Sequence, residues 1–346
     1  MALGIGIIGC GAISRLHIDA FRAIDGVEIR AVSDAVAEVA AKVGEQLNVE
    51  GYGDYKDLLK REDIDVVSIC TPSGLHHDIA IDAAKAGKNI IVEKPLEVTT
   101  EKIDDIIHAC KENGVKLACV FNNRYREGNL FIKKAIEAGR FGKLISANAF
   151  VQWYRAPEYY SKSNWRGTWA FDGGGTLMNQ SIHYIDMLLW FAGPVKALTG
   201  YTATLLHEGI ETEDTATAIF KFKSGALGTI ICGTSCYPGF PARIELTGER
   251  GTAVICDGAI TSWSFADEDP LDLEAAQYMA ADVDNARASD PMAFDSTYHR
   301  IQFENILESF KAGRNAEVDG YEARKSVELI RSIYRSAELG KEVVLD

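Results

Sequence analysis

The 346-residue chain is 47% hydrophobic and 25% charged, with 31 glycines and 8 prolines. That is the make-up of a globular protein, and it excludes a disordered, collagen-like or disulfide-stapled chain. Fifty Asp and Glu against 36 Lys and Arg leave a net charge of −14, a field that repels polyanions; nucleic acid and anionic membranes are therefore not expected partners, whereas a small anion held by local donors is compatible with it. The length favours two domains over a single core. Seven cysteines without a C-x-x-C pair suggest neither a disulfide framework nor a zinc ribbon, and no metal is expected. The start MALGIGIIGCGAIS lacks a basic leader region, and no apolar run approaches the ~18 residues of a membrane helix, so a cytoplasmic location is expected.

In chain order, apolar runs at Gly4–Gly9, Ile29–Ser33, Val66–Cys70, Asn89–Val92 and Leu117–Phe121 alternate with helical patterns. The helices are expected at Leu16–Ile24, Ala35–Leu47, Tyr55–Lys60, His77–Ala86 and Thr100–Asn113. Several of the strand runs lack a polar alternation, as expected where helices cover both faces of a parallel sheet; the alternation of elements predicts an α/β, doubly wound fold. After about Asn122 the pattern changes. A helix (Leu130–Ala138), a strand (Leu144–Trp153), an aromatic irregular stretch (Tyr154–Trp169) and a second helix (Leu177–Trp190) come first. Strand signals follow at Ala197–Thr204, Thr215–Lys223, Ala226–Gly233, Arg243–Thr247, Ala253–Cys256 and Ile260–Ser264. Their turns predict a largely antiparallel sheet in an α+β domain. The acidic stretch Ala266–Asp290 reads as a loop with a lid-like role, and helices at Tyr298–Lys311 and Tyr321–Leu339 close the chain. The expected division is residues 1–122 as a nucleotide-binding domain and residues 123–346 as a substrate and assembly domain.

Gly9-Cys10-Gly11-Ala12-Ile13-Ser14 links the first strand to the first helix. Gly9 permits the tight turn, and Gly11 lets a pyrophosphate approach the backbone at a helix N-terminus; Ser14 takes the third position and is still small enough for close packing. Asp34 ends the second strand 20 residues after Ser14, where a carboxylate accepts hydrogen bonds from a ribose diol and repels a 2′-phosphate. With no Arg in Val32–Ala37, NAD is the expected cofactor in preference to NADP. The fourth strand runs into Thr71-Pro72-Ser73-Gly74-Leu75-His76 and the fifth into Glu93-Lys94-Pro95. Lys94 thus lies at the C-terminal edge of a parallel strand, where open α/β sheets bind ligands. Further on, Asn179 and His183 stand four residues apart in Gly173-Gly174-Gly175-Thr176-Leu177-Met178-Asn179-Gln180-Ser181-Ile182-His183, so both project from one helix face. An imidazole titrating near pH 6.5 is suited to accept a hydroxyl proton.

These segments together resemble the glucose–fructose oxidoreductase / inositol dehydrogenase / rhizopine-catabolism (Gfo/Idh/MocA) family over essentially the whole chain. The resemblance implies a Rossmann domain followed by an open-faced sheet that commonly mediates oligomerisation, hence a homodimer or homotetramer. It implies an NAD(P)-dependent oxidoreductase acting on a sugar, cyclitol or derivative. Lys94 would lie beside the nicotinamide and stabilise a developing alkoxide, with Glu93 orienting it and Thr71, Pro72, Ser73 and His76 lining the cofactor groove. Many relatives carry Asp where Asn179 stands; an amide is no base, so Asn179 would orient substrate or His183, which acts as the general base. Asp186 would pair with His183 or cap neighbouring groups.

Trp153–Tyr160 and Trp165-Arg166-Gly167-Thr168-Trp169 are unusually aromatic. Trp165 would stack on a sugar, Arg166 or Arg155 would clamp a carboxylate or phosphate, and Arg124 would face the cleft; His299 would approach from a C-terminal helix. The WRGTW-x-x-DGGG-x-LMNQ-x-IH segment resembles UDP-N-acetyl-glucosaminuronate and glycoside 3-dehydrogenases, which implies oxidation at C3 of a pyranose. Two other functions fit the family: an NAD-dependent glycosidase working by transient oxidation and elimination, and a non-catalytic cofactor or sugar sensor.

Overall fold

In the computed structural model, which describes residues 2–281, 283, 286–289 and 296–345, the chain divides into two units. The first is Met1–Asn122 with Asp295–Arg324; the second is Asn123–Phe294 with Lys325–Asp346.

The first unit is built on six parallel strands: β1 (Leu3–Ile8), β2 (Val27–Ser33), β3 (Glu50–Tyr52), β4 (Val66–Ile69), β5 (Asn89–Val92) and β6 (Leu117–Cys119). Their order is β3-β2-β1-β4-β5-β6, so the chain reverses direction across the sheet between β1 and β4. Loops leaving the C-terminal ends there diverge and open a crevice, which is where ligands of doubly wound sheets bind. β4 is buried along its whole length, in keeping with its uninterrupted apolar run. The edge strand β3 escapes a reading of the sequence because it is three residues long and centred on Gly51, too short to show a period.

The helix Thr297–Lys311 belongs to the first unit, although a division of the sequence at residue 122 assigns it to the second. Its Phe303 ring stacks on Phe21 at 4.5 Å between centroids and 16° between planes, and Phe303, Ile306 and Leu307 join the core with Ile18 and Phe21. Burying such a face against a helix of the sheet contributes on the order of 1.5–3 kcal/mol per large apolar side chain.

The second unit holds eight strands: β7 (Leu144–Gln152), β8 (Val195–Ala203), β9 (Thr215–Phe222), β10 (Leu227–Gly233), β11 (Arg243–Gly248), β12 (Gly251–Cys256), β13 (Ala259–Phe265) and β14 (Val343–Val344). They run in the order β13-β12-β11-β7-β10-β9-β8-β14, antiparallel except for β7 with β10. Along β9 the residues alternate strictly: Ala216, Ala218, Phe220 and Phe222 are buried, and Thr217, Ile219 and Lys221 are exposed. One face therefore packs on helices while the other is open. The stretch expected as a loop from Ala266 begins with a helix, Pro270–Ala275, capped by Asp269 and Asp272. Asp267 and Asp272 there hold the buried Arg140 guanidinium. Positions 282, 284, 285 and 290 of that stretch lie outside the described residues. Among the described residues no helix is long and apolar enough to cross a membrane.

Candidate active site

The crevice in the first unit begins at Gly9, whose φ of 93° is a conformation that favours glycine. A Cβ on Gly9 would lie 2.8 Å from backbone atoms of Cys70 and Thr71, so the absence of a side chain is also what lets the turn after β1 close on the turn after β4. Gly11, by contrast, faces open space. The helix Ser14–Arg22 starts without a side-chain cap, leaving its first amides to an incoming anion. Ser14 fastens the turn by donating its hydroxyl to Gly11 O at 2.7 Å; Ala12 and Ile13 lie between them. Asp34 sits just beyond β2 and accepts from the Cys10 amide (2.8 Å) and the Val36 amide (2.9 Å), which fixes a half-exposed carboxylate at the lip of the glycine turn. Burial, with the Asp34 charge adding to it, pushes the Cys10 thiol up to about 12, so no thiolate opposes a bound phosphate.

Thr71 Oγ1 is buried without a protein partner, an orphaned hydroxyl of the kind a ligand satisfies. Pro72 and Ser73 form the turn that follows, with the Leu75 amide bonded to Pro72 O at 2.9 Å. His76 is fully buried, its ring nitrogens 2.9 Å from Pro95 O and 3.0 Å from Thr71 O. Its place is a strut tying the loop after β4 to the loop after β5, which differs from the direct cofactor contact expected of it. A side-chain-free glycine turn, an uncapped helix start, a poised carboxylate and an orphaned hydroxyl suit NAD.

From Ile90 to Val98 every residue is buried except Lys94, so a single charged side chain emerges from an otherwise interior segment. The Lys94–Pro95 peptide is cis. Below it, Glu93 is buried and its Oε2 accepts the Lys94 amide at 3.0 Å. Its Oε1 lies 2.8 Å from His17 Nε2 and 3.7 Å from His299 Nε2. Burial by itself would raise the Glu93 carboxyl, but the bonds to His17 and His299 overcome it and hold the group well below the usual carboxylate range. Expected among the cofactor contacts, Glu93 stands instead inside the unit, between two imidazoles.

In the second unit, Gly173–Gly175 leads into a wide π-helical turn, Thr176–Ser181, and then the helix Ile182–Ala192. Such turns concentrate at functional sites because they displace side chains from α-helical positions. Glu213 imposes the geometry: its carboxylate accepts the amides of Gly175 and Leu177, each at 2.9 Å, and the Tyr334 hydroxyl at 2.9 Å. A Cβ on Gly175 would lie 1.8 Å from Glu213 O, so the approach requires glycine. From Asp172 to Leu188 all residues are buried except Asn179 and His183. Asn179 Nδ2 donates to Asp172 Oδ1 at 2.6 Å, and Asp172 Oδ2 accepts the Gly167 amide at 2.8 Å. A carboxylate thus stands behind Asn179, supplied from seven residues earlier in the chain.

The aromatic stretch separates two arginines that the sequence left as alternatives. Arg155 is buried, lies over the Trp153 and Tyr159 rings, and donates to Gln180 Oε1 at 3.1 Å. Arg166 is half-exposed beside the half-exposed Trp165 and stacks 4.2 Å over the Tyr159 ring; its Nε has no protein partner. Arg124 does not face a cleft as expected. It is 2% exposed and paired in bidentate fashion with Asp186 at 2.6 and 2.7 Å, because a buried guanidinium is tolerated only where a carboxylate meets its fork. Asp186 accordingly belongs to Arg124. His17, Asp172 and Glu213 were not singled out in the sequence. For His17 and Asp172 a signal exists: each adjoins a motif, three residues after Ser14 and directly before the three glycines. Glu213 carried none.

A phosphate-ready turn at the strand-order reversal, an acid at the end of β2 and a half-exposed lysine at the end of β5 define a dinucleotide-dependent oxidoreductase. Comparison with known proteins agrees. The model described as "Oxidoreductase family, NAD-binding Rossmann fold" matches residues 3–121, and that of the GFO/IDH/MocA C-terminal domain matches residues 130–254. The chain belongs to the Gfo/Idh/MocA family of NAD-binding oxidoreductases. It is 28% identical to myo-inositol 2-dehydrogenase of Thermotoga maritima over 97% of this chain and 99% of that one. It is 30% identical to the oxidoreductase YrbE of Bacillus subtilis over 72% of each. Among solved structures, the WlbA dehydrogenase of Bordetella pertussis, in complex with NADH and UDP-GlcNAcA, superposes with a TM-score of 0.91 at 33% identity, covering 100% of this chain and 98% of that one.

Proposed function

We propose that this enzyme oxidises a secondary alcohol of an acidic sugar nucleotide, at C3 of the pyranose, with NAD as the hydride acceptor. The observation that carries the reading is the pair of interruptions in otherwise buried segments: Lys94 in Ile90–Val98, and Asn179 with His183 in Asp172–Leu188. Burial is costly for such side chains, and in these two segments the partly exposed polar groups are the ones a ligand can reach. The similarity to a dehydrogenase solved with NADH and UDP-GlcNAcA supports the substrate class. So does Arg166, a stacked, half-exposed guanidinium with an N–H to spare, suited to a carboxylate or phosphate.

In the reaction, the carbinol C–H leaves as hydride while the O–H proton passes to His183, giving a ketone. Bound NAD supplies the hydride acceptor at the nicotinamide ring. Lys94 donates to the reacting oxygen and stabilises its growing negative charge. Asn179, held by Asp172, orients a neighbouring hydroxyl. Gly9, Gly11 and the first amides of Ser14–Arg22 hold the pyrophosphate, and Asp34 holds the adenosine ribose. We also infer that residues 1–122 bind the cofactor while residues 123–346 bind substrate and assemble the oligomer. A cytoplasmic setting agrees with seven free cysteines, which an oxidising compartment would tend to pair.

The test is absorbance at 340 nm with NAD and UDP-N-acetylglucosaminuronic acid, alongside myo-inositol, levoglucosan and simple pyranosides. A rise with the sugar nucleotide is expected, and Lys94→Ala or His183→Ala should slow it roughly 100-fold or more. No rise with the nucleotide but a rise with inositol would overturn the substrate class. Full turnover in Lys94→Ala would overturn its assigned role.

A further inference from the structure

We propose that Tyr159 and Gln180 determine specificity by holding the Arg166 guanidinium at a fixed separation from Asn179. The site then selects a sugar derivative whose anionic group and reacting hydroxyl are spaced to match. This deepens the anion-binding role given to Arg166 above, on which it rests. Tyr159 and Gln180 are positioning residues: they act through Arg166 and Asn179.

Arg166 differs from the buried Arg124 and Arg140 in how its charge is met. Those two face carboxylates, Asp186 for the first and Asp267 with Asp272 for the second. Among the described residues, Arg166 has no carboxylate within 4 Å. Neutral groups hold it instead: the Tyr159 ring at 4.2 Å, the Trp165 ring at 5.4 Å, and the Tyr159 carbonyl, which accepts from Nη1 at 3.3 Å. Aromatic faces attract a guanidinium through their quadrupole and leave its N–H edge open, and Nε is buried with no protein partner. The charge is therefore fixed in place without being neutralised. That is the state in which a planar guanidinium recognises a carboxylate or a phosphate.

Two links tie this arginine to Asn179. The first runs through the backbone. The Thr168 amide bonds to Trp165 O at 3.3 Å, and Gly167 has a φ of 73°, so Trp165–Thr168 is a tight turn with Arg166 at its corner. The Gly167 amide donates to Asp172 Oδ2 at 2.8 Å, and the other oxygen of that carboxylate takes Asn179 Nδ2 at 2.6 Å. The second link runs through side chains. Gln180 follows Asn179 in the turn Thr176–Ser181 and is 8% exposed. Its Oε1 accepts from Arg155 at 3.1 Å, which fixes the amide orientation. Nε2 is thereby turned toward the Tyr159 hydroxyl at 2.7 Å and Asn179 Oδ1 at 3.4 Å. One amide group thus touches both the ring that carries Arg166 and the residue that orients the substrate. Braced from two directions, the two ends of the site cannot adjust independently, and rigid partners are what let a site reject a ligand of the wrong spacing.

The test is isothermal titration calorimetry on the NADH-bound enzyme, which needs no turnover. Three ligands separate the sources of negative charge. UDP-N-acetylglucosaminuronic acid carries both a carboxylate and a diphosphate. UDP-N-acetylglucosamine keeps only the diphosphate, and the methyl glycoside of N-acetylglucosaminuronic acid keeps only the carboxylate. Arg166→Ala should weaken the first about 10-fold, together with whichever of the other two carries the group that Arg166 holds, and leave the third unchanged. Tyr159→Leu removes the ring under the guanidinium and should reproduce that pattern. In an Arg166→Ala background it should cost nothing further, because it acts only through the arginine. Where turnover is measurable, Tyr159→Leu should raise KM for the acidic nucleotide and leave kcat within about 2-fold of the parent. Parental affinity in Tyr159→Leu, equal weakening of all three ligands, or a further loss in the Arg166→Ala background would each overturn this inference while leaving the role of Arg166 intact. If Tyr159→Leu fails to fold, Tyr159→Phe keeps the ring and breaks only the bond to Gln180. It should weaken the same ligands by about 3-fold, and parental affinity there would remove Gln180 from the link. Unchanged binding of all three ligands by Arg166→Ala would instead overturn the anion-binding role itself, and no binding of any of them by the parent would overturn the substrate class.

Discussion

Asp34 shows how one carboxylate can set a preference and hold a loop at once. It accepts the Cys10 and Val36 amides, so Asp34→Ala would loosen the glycine turn and confuse affinity with folding. Asp34→Asn keeps an acceptor and removes the charge that repels a 2′-phosphate. The NAD:NADP ratio of dissociation constants, measured by quenching of protein fluorescence, should move at least about 10-fold toward NADP, a change of ~1.4 kcal/mol. An unmoved ratio would mean that Asp34 does not govern the choice. Asp34, Lys94, Asn179 and His183 can each be reached in the sequence by counting from a motif. Arg124 was misread because its environment depends on Asp186, remote in sequence and invisible until the helix Ile182–Ala192 is packed. Arg155 and Arg166 were indistinguishable on paper for the same reason; burial beside Gln180 removes the first and leaves the second.

At the scale of elements, the turn Thr176–Ser181 depends on a contact that arrives from a distance. The sequence predicts an ordinary helix from Leu177, and the periodicity there is indeed helical; what widens its first turn is Glu213, two residues before β9, whose carboxylate gathers the Gly175 and Leu177 amides. Burial pushes the Glu213 carboxyl from 4.5 up to about 7, against the lowering effect of the Leu177, Tyr334 and Gly175 donors. The native state therefore holds a proton that the unfolded chain has already lost between those two values. The stabilisation is fully present below pH 4.5 and is withdrawn as pH rises to about 7, amounting to ~3 kcal/mol. Glu213→Gln should be less stable, since its amide nitrogen must face a backbone N–H. Urea unfolding should show that the variant has lost this downward slope between about pH 4.5 and 7 relative to the parent. Parallel slopes for the two proteins would place the titration elsewhere.

For the whole molecule, the alternation that made the second sheet legible also exposes its least finished surface. Reading across the open face in register, Tyr201, Thr217, Ile231, Phe150 and Arg243 form one row; Ile219 lies in the next row and Leu227, paired with Lys221, in the one after that. Tyr201, Ile219, Leu227 and Ile231 are 69%, 60%, 61% and 39% exposed. A soluble chain rarely leaves contiguous apolar area of this kind uncovered. The occupant we propose is a second copy, because the surface is flat, mixed with threonines and able to meet itself about a two-fold axis. A net charge of −14 opposes the meeting of two copies, but Lys221 and Arg243 lie on this same face, with Arg243 stacked 4.1 Å over Phe150, and lower the local repulsion. Sedimentation velocity should find the parent oligomeric. Ile219→Lys combined with Ile231→Lys should sediment as a monomer with an unchanged circular dichroism spectrum, since both side chains point away from the buried alternates Ala218, Phe220 and Ile230. A parent that sediments as a monomer would remove the assembly role from this face. A double variant that stays associated would move that role to another surface. In either case the catalytic assignments would stand untouched, because none of Lys94, Asn179 or His183 belongs to the outer rows of the sheet.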